Sequence, residues 1–142
     1  MISSGPLDGY RVIELGQLLA GPFAGCMMGY FGAEVIKIES VDGGDPMRRW
    51  GVTVDGSSLW WPTIARNKQS VVADLKDPLD LEMVQRLGAE CDVVLENFRP
   101  GTLAKFGLDH ATLSKVNPGV IVTHVSGFGQ TGPRSSEAGF GS

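Results

Sequence analysis

The 142-residue chain sets 12 basic against 16 acidic side chains, a formal net charge of −4, with 42% hydrophobic residues. That size and balance suit one soluble globular domain, and the acidic excess argues against a nucleic-acid binder, whose footprint is basic. No apolar run approaches the roughly 18 residues needed to span a bilayer, and Met1–Pro6 lacks the basic and apolar parts of a signal peptide, which reads as a cytoplasmic protein.

Tyr10–Leu15 alternates and is β-branched, predicting a first strand. Pro22 suits the first turn of a helix, where its missing N–H costs nothing; that helix runs to Phe31 and stops at Gly32. Its apolar, small-residue surface predicts burial on several sides. Ala33–Glu39 is a second strand. An irregular stretch follows from Val41 to about Ser58, and loops of that length are usually functional or mobile. Ser70–Asp74 is a third strand. Asp77 and Pro78 then form the N-cap and first position of a helix with an apolar stripe of Leu79, Leu81, Met83, Val84 and Leu87. Asp92–Glu96 is a fourth strand and Val120–Val125 a fifth, with short helices between them at about Thr102–Phe106 and Ala111–Val116. Strands separated by helices imply right-handed crossovers and a parallel, doubly wound α/β sheet.

Gly127–Gly132 completes a G-x-G-x-x-G pattern after the fifth strand. A dinucleotide site would need a helix opening at the third glycine and an acidic residue about 20 positions on. Pro133–Ser136 follows instead, so the segment reads as the approach to an active site.

Ligands of such sheets sit beyond the C-terminal strand ends, which selects the segments after Leu15, Glu39, Asp74, Glu96 and Ser126. Gly16–Pro22 lets a ligand approach the backbone and a helix N-terminus, or simply makes a tight turn. Lys76 is placed to meet a phosphate as a point charge, or is a surface lysine. Asn97 offers a donor and an acceptor to an amide such as that of a pantetheine arm; alternatively Asn97-Phe98 is a turn with an anchoring aromatic. Lys105 lies one helical turn beyond Gly101. Arg66, Lys68 and Arg99 read as solvated charges, Met27-Met28 as core, and Trp60-Trp61 as packing or a contact surface. Glu14, Glu39 and Glu96 each end a strand, with nothing to pair any two for acid/base work. Cys26 and Cys91 read as buried thiols in a reducing compartment, and His110 and His124 are too isolated for zinc, so no metal site is expected.

Six segments in order then carry a family likeness: Leu7–Val12, Ala20-Gly21-Pro22, Gly32–Glu39, Asn67–Ser70, Glu96–Gly101 and Ser126–Pro133. Together they resemble the family III CoA-transferases of the formyl-CoA transferase and carnitine CoA-transferase type (CaiB/BaiF-like), which also include 2-methylacyl-CoA racemases. The resemblance implies a Rossmann-like large domain, a small domain, and an interlocked homodimer. Residues 1–142 would be the N-terminal part of the CoA-binding large domain, with the small domain and the C-terminal return absent. It also implies CoA transfer between an acyl-CoA and an organic (di)carboxylic acid through mixed anhydrides and an aspartyl-CoA thioester, with CoA as substrate and no permanently bound cofactor. The family's aspartate lies a few tens of residues beyond Gly127–Pro133, so no catalytic residue is assigned here. The chain is expected to be an N-terminal fragment, inactive alone.

By position, Lys76 and Lys105 match basic residues near the CoA phosphates in that family, Asn97 and Phe98 match its CoA-contacting pair, and Leu19 and Ala20 its backbone contacts near the adenosine end. Ser40 stands where relatives often have arginine, and Leu19 where some formyl-CoA transferases have glutamine, which leaves the donor and acceptor acids open. Two other readings stand beside CoA transfer: α-proton exchange on a 2-methylacyl-CoA, and a noncatalytic nucleotide- or CoA-binding domain. The racemase branch carries Gly-His-Asp where this chain has Gly139-Phe140-Gly141. Phenylalanine accepts no proton, which favours the transferase.

Overall fold

The computed structural model describes residues 5–139. In chain order its elements are β1 (Arg11–Glu14), α1 (Ala20–Tyr30), β2 (Glu34–Glu39), a 3₁₀ turn (Pro46–Arg49), β3 (Thr53–Val54), β4 (Ser57–Ser58), α2 (Trp61–Ile64), β5 (Lys68–Val72), α3 (Pro78–Glu90), β6 (Val93–Glu96), α4 (Thr102–Lys105), α5 (His110–Leu113) and β7 (Ile121–His124). Five strands pair in parallel in the order β5-β2-β1-β6-β7. This is the doubly wound α/β sheet expected from the alternation of strands and helices. Its order reverses between β1 and β6, which opens a crevice at their C-terminal ends.

Alternation within the strands feeds a separate core on each face. Ile13, Ile36, Ile38 and Val94 pack with Val84, Leu103, Leu108 and Leu113 on the face covered by α3, α4 and α5. Val12, Val35, Val93 and Leu95 pack with Ala24 and Met28 on the α1 face. α1 comes so close to the sheet that a Cβ on Gly25 would lie 2.0 Å from a Glu14 carboxylate oxygen, so this position tolerates no side chain. Contrary to the expectation of burial on several sides, Phe23 and Tyr30 of α1 stay about half exposed, because only one side of the helix meets the sheet. In α3 the stripe also differs: Val84 and Gly88 are buried, Leu87 packs on the core, and Leu79 faces solvent. Asp77 caps that helix as expected, accepting from Leu79 N and Asp80 N at 2.9 and 3.1 Å.

The stretch from Val41 to Ser58 is ordered by its own short-range chemistry rather than irregular. Asp45 caps the 3₁₀ turn by accepting from Met47 N at 2.8 Å. β3 and β4 form an antiparallel hairpin closed by Asp55-Gly56, both in the left-handed region, the Asp-Gly turn that matches strand twist. After β7 the chain runs through turns, and no helix follows Gly132 among the described residues. The expectation placed on Phe140 lies outside the described residues.

Candidate functional site at the C-terminal strand ends

On the α3/α4 face, the ends of β1, β2 and β5 border a groove of about 270 Å³. Its floor is Leu15, Ile38 and Ala73, its walls include Phe98, Thr102 and Phe106, and its rim carries Gln17, Ser40, Asp74 and Lys76. Lys76 is exposed, its backbone fixed by an N–H donated to Asp74 Oδ1 at 2.9 Å. The groove, which Asp42 also lines, thus joins an apolar slot to a cation that makes no salt bridge among the described residues, a combination that suits a flat, phosphorylated ligand.

Of the six residues picked out from the sequence, Lys76 and Phe98 line this groove together. Leu19 and Ala20 lie exposed at the start of α1, and Lys105 is exposed in the last turn of α4; none of these three lines the groove. Asn97 is committed within the protein. Its Oδ1 accepts from Gln17 N at 2.8 Å and its Nδ2 donates to Gln17 O at 2.9 Å. This pair of bonds ties the end of β6 to the end of β1 across the crevice, so Asn97 shapes the β1–α1 loop.

The opposite face of the same strand ends holds charges that sequence reading missed. Lys68, read as a solvated charge, has a side chain only 2% exposed, and so does Lys37. Lys37 Nζ donates to Glu14 Oε1 at 2.9 Å and to Gly16 O at 2.8 Å, and lies 2.8 Å from Asp45 Oδ2. Lys68 Nζ donates to Pro22 O at 2.6 Å and lies 2.7 Å from Glu14 Oε2. Burial lowers the Lys68 ammonium from lysine's usual range, with Glu14 opposing. Beside them Arg48 clasps Glu39 with two bonds of 2.7 Å, and its guanidinium stacks 3.9 Å from the centre of the Trp61 ring. Burial pushes Glu39 upward, yet Arg48, the Ser70 hydroxyl and the Asp45 amide hold its carboxyl down at about 2. The strand period gave the one clue available: Lys37 shares a face with the apolar Val35, and a lysine on a buried face needs partners.

Glu14, Glu39 and Glu96 each spend their carboxylate on a different partner. Glu96 accepts from Phe98 N and pairs with His124 Nδ1 on the neighbouring strand. Cys26 and Cys91 are buried and free, and no cluster fit for a metal exists among the described residues. No helix among them is long and apolar enough to cross a membrane. A second cavity opens at the other end of the sheet, around Arg11, Glu34, Glu90 and Asp92. Arg11 spends its side chain there on Glu34 at 2.7 Å.

A doubly wound sheet binds its ligands beyond the C-terminal strand ends, and this groove opens there. The model of CoA-transferase family III matches residues 7–142, and the chain belongs to that family. It is 56% identical over 138 residues to the succinyl-CoA–D-citramalate CoA-transferase of Chloroflexus aurantiacus, covering 96% of this chain and 34% of that protein. It is 47% identical to the succinate–glutarate CoA-transferase of Agrobacterium fabrum, covering 95% of this chain and 36% of that one. Among solved structures, a CaiB/BaiF family protein from Brucella suis superposes with a TM-score of 0.88 at 44% identity, covering 96% of this chain and 37% of that one. The chain therefore spans about a third of the length of the curated relatives it matches.

Proposed function

We propose that the full-length protein moves CoA between an acyl-CoA and an organic dicarboxylic acid, and that the residues described here form the edge that holds CoA. The observation that carries this reading is the groove joining Phe98 to Lys76 at the strand ends, in a chain whose relatives are named for transfer between succinyl-CoA and small diacids. Lys76 and Lys105 serve the CoA phosphates, Phe98 walls an apolar part of the ligand, and Leu19 and Ala20 offer backbone near the adenosine end. Asn97 acts by fixing Gln17.

In this reading an aspartate supplied outside the present chain attacks the thioester carbonyl, and the CoA thiolate leaves. The thiolate returns to the mixed anhydride, giving an aspartyl-CoA thioester and releasing the donor acid. The acceptor carboxylate then repeats the sequence in reverse. No proton is transferred in any of these steps, so the chemistry requires no general base at Phe140. The part of the described residues is to hold the CoA moiety while the acyl centre changes partners, so that each step is effectively intramolecular. The enzyme works as an interlocked homodimer in the cytoplasm.

The test is exchange between succinyl-CoA and a series of four- to six-carbon dicarboxylic acids, run with the full-length protein alongside a 2-methylacyl-CoA in D₂O. Acyl exchange without deuterium wash-in supports the transferase. Rapid α-deuterium incorporation without exchange replaces it with the racemase, and CoA binding with neither activity leaves a noncatalytic domain.

A further inference from the structure

The β1–α1 loop is held by its backbone at five polar atoms. Lys37 takes Gly16 O, Asn97 takes both Gln17 N and Gln17 O, Asp45 takes Leu18 N, and Lys68 takes Pro22 O. Four side chains distant in sequence thus grip the run from Gly16 to Pro22, which joins β1 to the first turn of α1. In its midst Leu18 sits at φ 63°, a left-handed conformation disfavoured for a residue with a Cβ. Something must hold it there.

We propose that Asp45 is a positioning residue that fixes Leu18 in this conformation and thereby sets how Leu19 and Ala20 are presented at the CoA-binding edge. Asp45 lies in the Val41–Ser58 segment, 27 residues from Leu18 in sequence and buried to 2% exposure. Its Oδ1 accepts from Leu18 N at 3.0 Å and from Met47 N at 2.8 Å. Its Oδ2 faces Lys37 Nζ at 2.8 Å, and its own N–H donates to Glu39 Oε2 at 2.9 Å. The carboxylate is therefore fixed by strand residues on β2, and its remaining acceptor capacity is aimed at the amide of Leu18. A single side chain locks the 3₁₀ turn and the β1–α1 loop to the same ammonium, so the two segments hold one relative position. The hydrogen bond to Leu18 N is a charge-assisted one in a site shielded from water, the situation in which such a bond most strongly selects a backbone conformation.

The proposal rests on reading this edge as CoA-binding, and two readouts separate the ideas: amide hydrogen exchange at Leu18–Gly21, which needs no ligand, and CoA affinity by calorimetry, both in the full-length protein. Asp45→Ala should speed exchange of the Leu18 amide at least tenfold and weaken CoA binding about tenfold. Asp45→Asn, which keeps an oxygen for Leu18 and Met47, should stay within about threefold of the parent in both. Adding Leu18→Gly to Asp45→Ala should recover part of the lost affinity, because glycine enters the left-handed region without help; general destabilisation would not be relieved that way. Should Asp45→Ala fail to fold, Asp45→Ser takes its place with the same expected outcomes, since its hydroxyl keeps a local cap on Met47 but is a bond too short to reach Leu18 N. Unchanged Leu18 exchange in the Ala or Ser variant overturns the proposal, and so does equal loss of affinity with Leu18 as leucine or glycine. A parent protein that binds no CoA refutes the CoA reading and with it the ligand half of this proposal, while the exchange result still decides the conformational half.

Discussion

The two faces of the sheet meet the same strand ends with opposite solutions. On the α1 face Lys37, Lys68, Glu14 and Asp45 are buried and paired, leaving no charge for a ligand. On the α3/α4 face the groove floor is apolar, and Lys76 stays exposed at the rim with no salt bridge among the described residues. A buried ion network costs desolvation and is justified by the geometry it imposes. An exposed lysine adds little to folding and is free to meet an anion. The contrast teaches that charge alone does not mark a binding residue in this fold; what marks it is charge without an internal partner.

The sharpest way to break the contrast is to remove a cation from each face. Lys37→Met strands Asp45 in the interior, leaves Glu14 with Lys68 alone, and should cost about 3–5 kcal/mol of stability, since losing one member of a buried pair leaves an uncompensated charge. Urea denaturation would show it, and a loss below about 1 kcal/mol would mean that water reaches the network. Acid should act on the same face. Glu39 is held at about 2 instead of its ordinary 4.5. A depressed folded pKa contributes stability that is present above 4.5 and is lost as pH falls toward 2. Unfolding followed from pH 6 to pH 2 should show that loss, and Glu39→Gln should flatten it.

On the other face the expected effect moves from folding to binding. Lys76→Ala should leave stability within about 0.5 kcal/mol while weakening CoA binding about tenfold, roughly 1.4 kcal/mol, and less at high salt. Lys105→Ala should do the same if its exposed ammonium reaches the same phosphates. Calorimetry at two salt concentrations measures both. Full CoA affinity in both variants would move the site away from this edge.

How much of this was legible beforehand follows from the range of the interactions involved. The strands, α1, the Asp77 cap and the parallel order rest on local periodicity and capping, which a sequence displays directly. The Asp55-Gly56 hairpin was also written locally, but its two-residue strands are too short for a period to show. Lys68 was misread because its partner, Glu14, lies 54 positions earlier and reaches it only across β2 and under α1. Asn97 was recognised as important for its paired donor and acceptor, yet the amide it meets belongs to Gln17, 80 residues away. Long-range closure of that kind has no sequence period. That Lys76 and Phe98 share a groove was legible because the end of a strand is itself a local signal.

The smallest expected effect sharpens whether the two faces fail together. Each face carries one buried free thiol: Cys26 in α1, and Cys91 in the core of the α3 face. Burial pushes the Cys91 thiol up to about 11, so in the folded protein it stays protonated and unreactive well above neutral pH. A raised folded pKa also means that stability falls as pH climbs from 9 toward 11, because the unfolded thiol ionises first. Thiol labelling in mild urea then reports each face separately. Lys37→Met lowers the stability of the whole protein, so both thiols should label faster in that variant, and Cys26, above the loosened loop and strand ends beneath α1, should gain several times more than Cys91. Local opening of this sort is expected where a helix is anchored by polar contacts at one end and exposes Phe23 and Tyr30 on its outer side. Equal acceleration at both thiols would show that the five-stranded sheet opens as one cooperative unit, and that the difference between the faces concerns binding alone.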